Sequence, residues 1–226
     1  MRQFFTLLTL IFCLTTMALA GNPEGGYRIE VAVQHYTGDT LKLGYYFGKS
    51  QYLKDTALVK QGKFVFEGDS ALSPGIYLIV IPPANNFIHI VVSVTEQRFS
   101  LAVDTSDIVK TAKFKGSPEN DIYYDYLRQL EERRPRAEEL KKQMAVDSLH
   151  RDTYKAQLAE IDKEVEKVQD DILKKNPSTM TAFLIKANRE IEVPDYTDLS
   201  EADQKQKQYE YYRAHFFDGF DLNDPR

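Results

Sequence analysis

Through residues 27–115 apolar residues recur at every second position, and from Ser117 onward they recur at helical intervals. A single change of period divides a chain into a sheet part and a helical part, because strands and helices bury one face at different spacings. The first segment, "YRIEVAVQHY", sets Ile29, Val31 and Val33 against Arg28, Glu30 and Gln34. "TLKLGYYF" resumes the alternation after a Gly38-Asp39 turn. "YLKDTALVKQGKFVFEGD" holds two alternating runs around Gln61-Gly62, where glycine supplies the positive φ of a tight hairpin. "GIYLIVIPP" and "NFIHIVVSV", flanked by Pro82-Pro83 and Asn85-Asn86, are richer in apolar residues and read as central strands. "QRFSLAVD" and "VKTAKFKG" complete the set. Short strands at near-regular spacing predict an antiparallel β-sandwich or meander barrel over residues 24–115. With no room for crossover helices, parallel pairing is not expected.

At "GSPENDIYYDYLRQL" Ser117 is the expected N-cap, with Pro118 at the first helical position and Glu119 and Asp121 in the first turn. Ile122, Tyr126 and Leu130 share a face; Pro135 should kink or restart the helix, and Leu140 and Met144 resume the face before a turn near Asp147-Ser148. Next, Tyr154, Leu158, Ile161, Val165, Val168 and Ile172 alternate at spacings of four and three. That is a coiled-coil seam of about three heptads. Its simplest partner is the preceding helix folded back as an αα-hairpin; an intermolecular coiled coil is the rival. On the exposed face Asp170 and Asp171 lie one turn before Lys174 and Lys175. "NPSTMTAFLIKANREIEVP" predicts a short helix from Ser178, and "SEADQKQKQYEYYRAHFF" one capped by Ser200 with Glu201 and Asp203 in its first turn. The whole is an α+β chain, with a helical linker region at 116–226.

Residues 1–20, "MRQFFTLLTLIFCLTTMALA", have the form of a signal peptide: Arg2, an apolar run from Phe4 to Leu14, and the small-x-small site Ala18-Leu19-Ala20. Phe12 stands where a lipoprotein needs a small residue before Cys13, so cleavage rather than lipidation is expected. The apolar run is too short for a permanent span, which needs roughly 20 residues. An exported protein of the periplasm or cell envelope follows, with no membrane span once the signal is removed. Without Arg2 the 29 basic residues fall to 28 against 34 acidic, a balance of −6. That charge excludes the basic footprint of nucleic-acid binding. Cys13 is the only cysteine, so residues 21–226 offer no disulfide, thiolate nucleophile or cysteine–metal site.

The four histidines, His35, His89, His150 and His215, have no ligand spacing among them. His89, in "FIHIVV", reads as a half-buried strand residue rather than a metal ligand. No nucleophile elbow, phosphate loop or H-E-x-x-H occurs. Asp218, Asp221 and Asp224 recur every third residue, which suits a solvated turn better than a calcium loop with its alternate carboxylates. No catalytic residue, cofactor or metal is expected. Tyr209, Tyr211, Tyr212, Phe216, Phe217 and Phe220 crowd the C-terminal segment. Of these, Tyr209, Tyr212 and Phe216 share a helix face that Phe217 and Phe220 extend. They either dock on the helical hairpin or form an exposed contact patch.

"KDTALVKQGKFVFEGD", "SPGIYLIVI" and "FKGSPENDIYYDYLRQL" resemble the β-rich domain of unknown function that precedes a thioredoxin fold in exported bacterial thiol–disulfide oxidoreductases. The shared features are Asp55, Gly62-Lys63-Phe64, Gly68, and Gly116-Ser117 with Asn120 at the helix entry. "NPSTMTAFLIKA" and "YYRAHFFDGFDLNDPR" look like the helical linker that joins that domain to the thioredoxin module. The catalytic C-x-x-C pair of such proteins has no counterpart here, so no catalytic residue carries over. The resemblance implies a non-catalytic accessory or recognition module, a truncated or split form whose Tyr209, Tyr212, Phe216, Phe217 and Phe220 meet a thioredoxin-fold domain or protein. A stand-alone glycan- or peptide-binding module and a hydrolase with paired carboxylates are the alternatives. No oligomeric state follows from the sequence.

Overall fold

The computed structural model describes residues 25–189 and 191–221; the expected signal peptide and Asp224 lie outside them. Eight strands come first: β1 (Tyr27–Gln34), β2 (Thr40–Phe47), β3 (Ser50–Leu58), β4 (Phe64–Gly68), β5 (Gly75–Ile81), β6 (Asn86–Val92), β7 (Arg98–Asp104) and β8 (Lys113–Lys115). A one-turn helix, α1 (Ile108–Thr111), sits between the last two. The longer helices follow: α2 (Pro118–Val146), α3 (Arg151–Lys175), α4 (Met180–Asn188) and α5 (Glu201–His215). This is an α+β fold of two mostly antiparallel sheets and then helices.

One sheet has the order β4-β1-β7-β8 and the other β3-β2-β5-β6. Alternation places one face of each strand in the core between them. Ile29 and Val31 of β1, Phe66 of β4 and Leu101 of β7 meet Leu41 and Leu43 of β2, Ile79 of β5 and Ile88 and Ile90 of β6. Burying each such side chain stabilises the fold by about 1.5–3 kcal/mol before chain entropy is subtracted. The expected hairpin turn is present. Gln61 and Gly62 both have positive φ, 52° and 75°, while Lys60 and Lys63 pair across them. These are the signs a two-residue hairpin needs to match strand twist.

Two expectations about the strands are corrected. β1 and β7 pair in parallel, from Arg28 opposite Arg98 to Gln34 opposite Asp104. A parallel pair needs a crossover, and here the opposite sheet supplies it: the chain passes through β2, β3, β5 and β6 before returning as β7. Second, β5 is central but β6 is an edge strand. Helix α2 lies against β6 and buries part of its outer face. Val91, on the face away from the sheet-to-sheet core, is fully buried.

Helix α2 closes the side of the sandwich between the edges of β6 and β8. Ser117 caps it, accepting from Asn120 N at 3.3 Å, and Pro118 occupies its first turn. Tyr124 is fully buried against Phe114 of β8, with ring centroids 5.0 Å apart. Pro135 does not restart the helix, which runs unbroken from Pro118 to Val146. Residues on both sides of it are tied to one carboxylate of α3: Arg133 Nε lies 3.2 Å and Arg136 3.0 Å from Glu164. The α3 seam faces α2 of the same chain, with Ile161 buried and the other five seam residues half-buried. Asp147 shapes the turn between the helices, accepting from Leu149 N and His150 N and from the Tyr154 hydroxyl. Helix α4 is capped by Thr179, which accepts from Ala182 N at 3.1 Å, and not by Ser178. The buried Glu119 carboxylate occupies the same helix start, accepting from Met180 N at 3.0 Å, Thr181 N at 2.7 Å and Thr181 Oγ1 at 2.6 Å. Negative charge is favoured there by the free N–H groups of the first turn. Ser200 caps α5 as expected.

A candidate contact site at the C-terminal helices

The expected contact residues gather around a cleft between α4 and the end of α5. Helix α4 buries Met180, Thr181, Ala182 and Ile185, which turns Phe183, Lys186 and Ala187 outward on a shared face. Helix α5 buries no residue at all. After His215 the chain makes a tight turn in which Gly219 has φ 73°, and this carries Phe220 back against α4. The rings of Phe220 and Phe183 meet edge to face at 5.8 Å. Lys186 Nζ lies 5.2 Å from the Phe220 centroid and donates to the Gly219 carbonyl. That cation therefore holds the turn rather than waiting for a ligand.

The resulting cleft has a volume of about 1120 Å³ and is lined on one side by Phe183 and Lys186, on the other by Tyr211, Tyr212, His215 and Phe216. Its charged groups are largely satisfied within the chain. Arg189 pairs with Asp170 of α3 at 2.5 Å, and His215 with Asp218 at 2.6 Å while stacking on Tyr211 at 4.1 Å. Asp218 orients His215 as a base would be oriented, yet among the described residues no serine, threonine or cysteine lines the cleft to serve as a nucleophile. The cleft presents ring faces and edges of Phe183, Tyr211, Tyr212, Phe216 and Phe220 beside the polar groups of Asn188, Arg189 and Glu192, a mixed lining that suits amphipathic side chains.

Of the five residues singled out in sequence, Tyr212, Phe216 and Phe220 line the cleft, whereas Tyr209 and Phe217 do not. Tyr209 is 57 % exposed with Arg213 stacked at 5.6 Å; Phe217 is 59 % exposed and packs edge-on against Phe216 at 4.8 Å. Sequence reasoning missed Phe183 and Lys186. Their three-residue spacing on a short apolar helix was the available signal, but only the α5 turn shows what they meet.

Elsewhere, His89 is half-buried and its imidazole is held below the usual range by burial. Asp121 is raised, first by burial and then by Asp125, but the two lie one turn apart on α2, not across a cleft. Glu96 accepts from Ser117 Oγ and Glu119 N, and so carries a capping role at α2. Among the described residues no three His, Cys, Asp or Glu side chains gather as metal ligands, and no helix is long and apolar enough to cross a membrane.

The family described as "Domain of unknown function (DUF4369)" matches residues 27–123. The match spans all eight strands and the start of α2, including Ser117, Asn120 and Tyr123. No curated protein and no solved structure matches the chain.

Proposed function

We propose that this chain is a non-catalytic recognition module of the cell envelope, exported and working with a thioredoxin-fold thiol–disulfide oxidoreductase. In this reading the sandwich is a rigid support, and the exposed rings and cleft of α4 and α5 receive the partner domain. The observation that carries the reading is the exposure of Tyr209, Tyr212, Phe216 and Phe217 together beside an aromatic-lined cleft. Exposed rings in one contiguous place mark contact surfaces more than solvated ones. The match over residues 27–123 agrees with the β-rich half of the resemblance. The absence of cysteine from residues 21–226 assigns any dithiol chemistry to another domain.

The test is calorimetric titration of the secreted chain with C-x-x-C thioredoxin-fold proteins of the same envelope, alongside an insulin-reduction assay. The reading expects no reductase activity from the chain alone and saturable binding to one such partner. Binding should weaken about tenfold in a Tyr209→Ser, Phe217→Ser variant, since exposed rings of this kind contribute about 1–2 kcal/mol on burial. Insulin reduction by the purified chain, or no binding to any of those proteins, overturns it.

A further inference from the structure

A second surface lies at the opposite end of the chain, on the hairpin of β2 and β3. Among the described strands β3 pairs with β2 alone, from Thr40 opposite Leu58 to Phe47 opposite Ser50. Near Val59 its outer edge is turned over into β4, where Lys60 pairs with Lys63. From Ser50 to Lys54 no backbone hydrogen bond joins that edge to any other described residue. Unpaired N–H and C=O groups in a row are a template for another strand.

The side chains around this edge point the same way. Tyr77, Tyr45 and Tyr52 lie opposite one another on β5, β2 and β3, with ring centroids 6.2 Å and then 5.7 Å apart. The ladder begins in the core at Tyr77 and ends at the exposed edge on Tyr52, with Phe47 packed against it at 6.5 Å. Across the pleat Leu53 is 62 % exposed, and Phe47 is 73 % exposed. The apolar face of an incoming strand would therefore meet Tyr52 and Phe47 and add the next rung of the ladder.

Charge specifies the occupant further. Residues 40–54 carry Lys42, Lys49 and Lys54 and no acidic residue, although the whole chain has a net charge of −5. None of the three lysines forms an ion pair with another described residue. Edge lysines also guard strands against pairing, but a guarded edge does not keep Phe47, Tyr52 and Leu53 exposed beside it. A second copy meeting this surface would bring lysines against lysines.

We propose that the outer edge of β3, Ser50–Lys54, is a strand-addition site for an extended segment of a partner protein that alternates apolar and acidic side chains. Backbone hydrogen bonds would align the segment, Tyr52 and Phe47 would take the apolar residues of its one face, and Lys49 and Lys54 its carboxylates.

The test uses the full secreted chain with three probes: a heptapeptide alternating glutamate and phenylalanine, its lysine counterpart, and an N-methylated form of the acidic peptide. The acidic peptide should slow amide exchange at Ser50–Lys54 and bind about tenfold more weakly in high salt, as screened charge pairs do. The N-methylated form, which keeps the side chains but loses the backbone donors, should not protect those amides. A Lys49→Glu, Lys54→Glu variant should prefer the lysine peptide with its thermal unfolding unchanged. Equal binding of the N-methylated peptide, protection confined to other residues, or no binding of the acidic peptide overturns the proposal. Protection of the same amides by self-association of the free chain overturns the choice of occupant.

Discussion

The side-chain amide of Asn120 completes the open edge of β6: Nδ2 donates to Val91 O at 2.7 Å, and Oδ1 accepts from Val91 N at 2.8 Å. A carboxamide carries the same donor and acceptor as a peptide group, so one side chain substitutes for a neighbouring strand. One turn further along α2, the Tyr124 hydroxyl donates to His89 O at 3.0 Å. The first turns of α2 thus cover β6, while the far edge strand of the same sheet, β3, has no such cover. Ser117 holds the amide in place, its Oγ lying 2.8 Å from Asn120 Nδ2.

Replacing Asn120 tests this directly. Asn120→Ala leaves the Val91 N–H and C=O buried without partners, and each unmade bond costs about 1–3 kcal/mol. Asn120→Asp retains an acceptor but sets a carboxylate against the Val91 carbonyl, so it should be at least as damaging. Urea unfolding should show a loss of about 3 kcal/mol for Asn120→Ala with an unchanged m-value.

Glu119 joins the starts of two helices, sitting on α2 while accepting three hydrogen bonds from Met180 and Thr181 of α4. Glu119→Gln keeps the shape but turns an NH₂ group toward a backbone donor. The loss of charge-assisted bonds should amount to about 2–3 kcal/mol. Amide exchange at Met180 and Thr181 should quicken more than exchange in β1 or β5.

The β3–β4 turn depends on Gly62, whose φ of 75° is open to glycine at little cost and strained for other residues. No atom lies within 4 Å of the place a Cβ would occupy, so Gly62→Ala adds backbone strain and no clash. A loss of about 1 kcal/mol is expected, and Gly62→Asn should recover part of it, because asparagine tolerates that region. Thermal unfolding of the two variants side by side measures the difference.

Asp104 is pushed down to about 2, first by its hydrogen bond from His35 and then by Ser106 N. A carboxyl depressed in the folded state stabilises the fold above its unfolded pKa, and that contribution disappears as pH falls through the folded value. The wild type should therefore exceed Asp104→Asn in stability near neutrality, and the gap should close between about pH 4 and pH 2. Unfolding midpoints across that range give the readout, and a gap independent of pH would count against the His35–Asp104 pairing.

Much of this arrangement was legible in the sequence where neighbouring residues decide the outcome. Gln61-Gly62 makes its hairpin, Ser117 and Ser200 cap their helices, and the seam from Tyr154 to Ile172 turns toward α2. The α3–α2 hairpin followed from a short turn and a matching apolar stripe. Pro135 does not restart the helix, because one missing hydrogen bond on an exposed face is offset by packing and by the Glu164 ion pairs on α3. Only part of the aromatic cluster's setting was visible, since helical spacing shows which rings share a face and not what the turn at Gly219 folds them onto.

The sequence by itself determined most of the strands and long helices, the Gln61-Gly62 turn and the caps at Ser117 and Ser200, because these depend on side-chain alternation and on groups a few residues apart. Only the tertiary structure decided that β1 and β7 run in parallel, that α2 seals β6 while β3 stays open, and that Phe220 rests on Phe183. A period of two identifies a strand's inner face and carries no information about its neighbour. Strand partners are chosen by the packing of the whole core, between residues far apart along the chain.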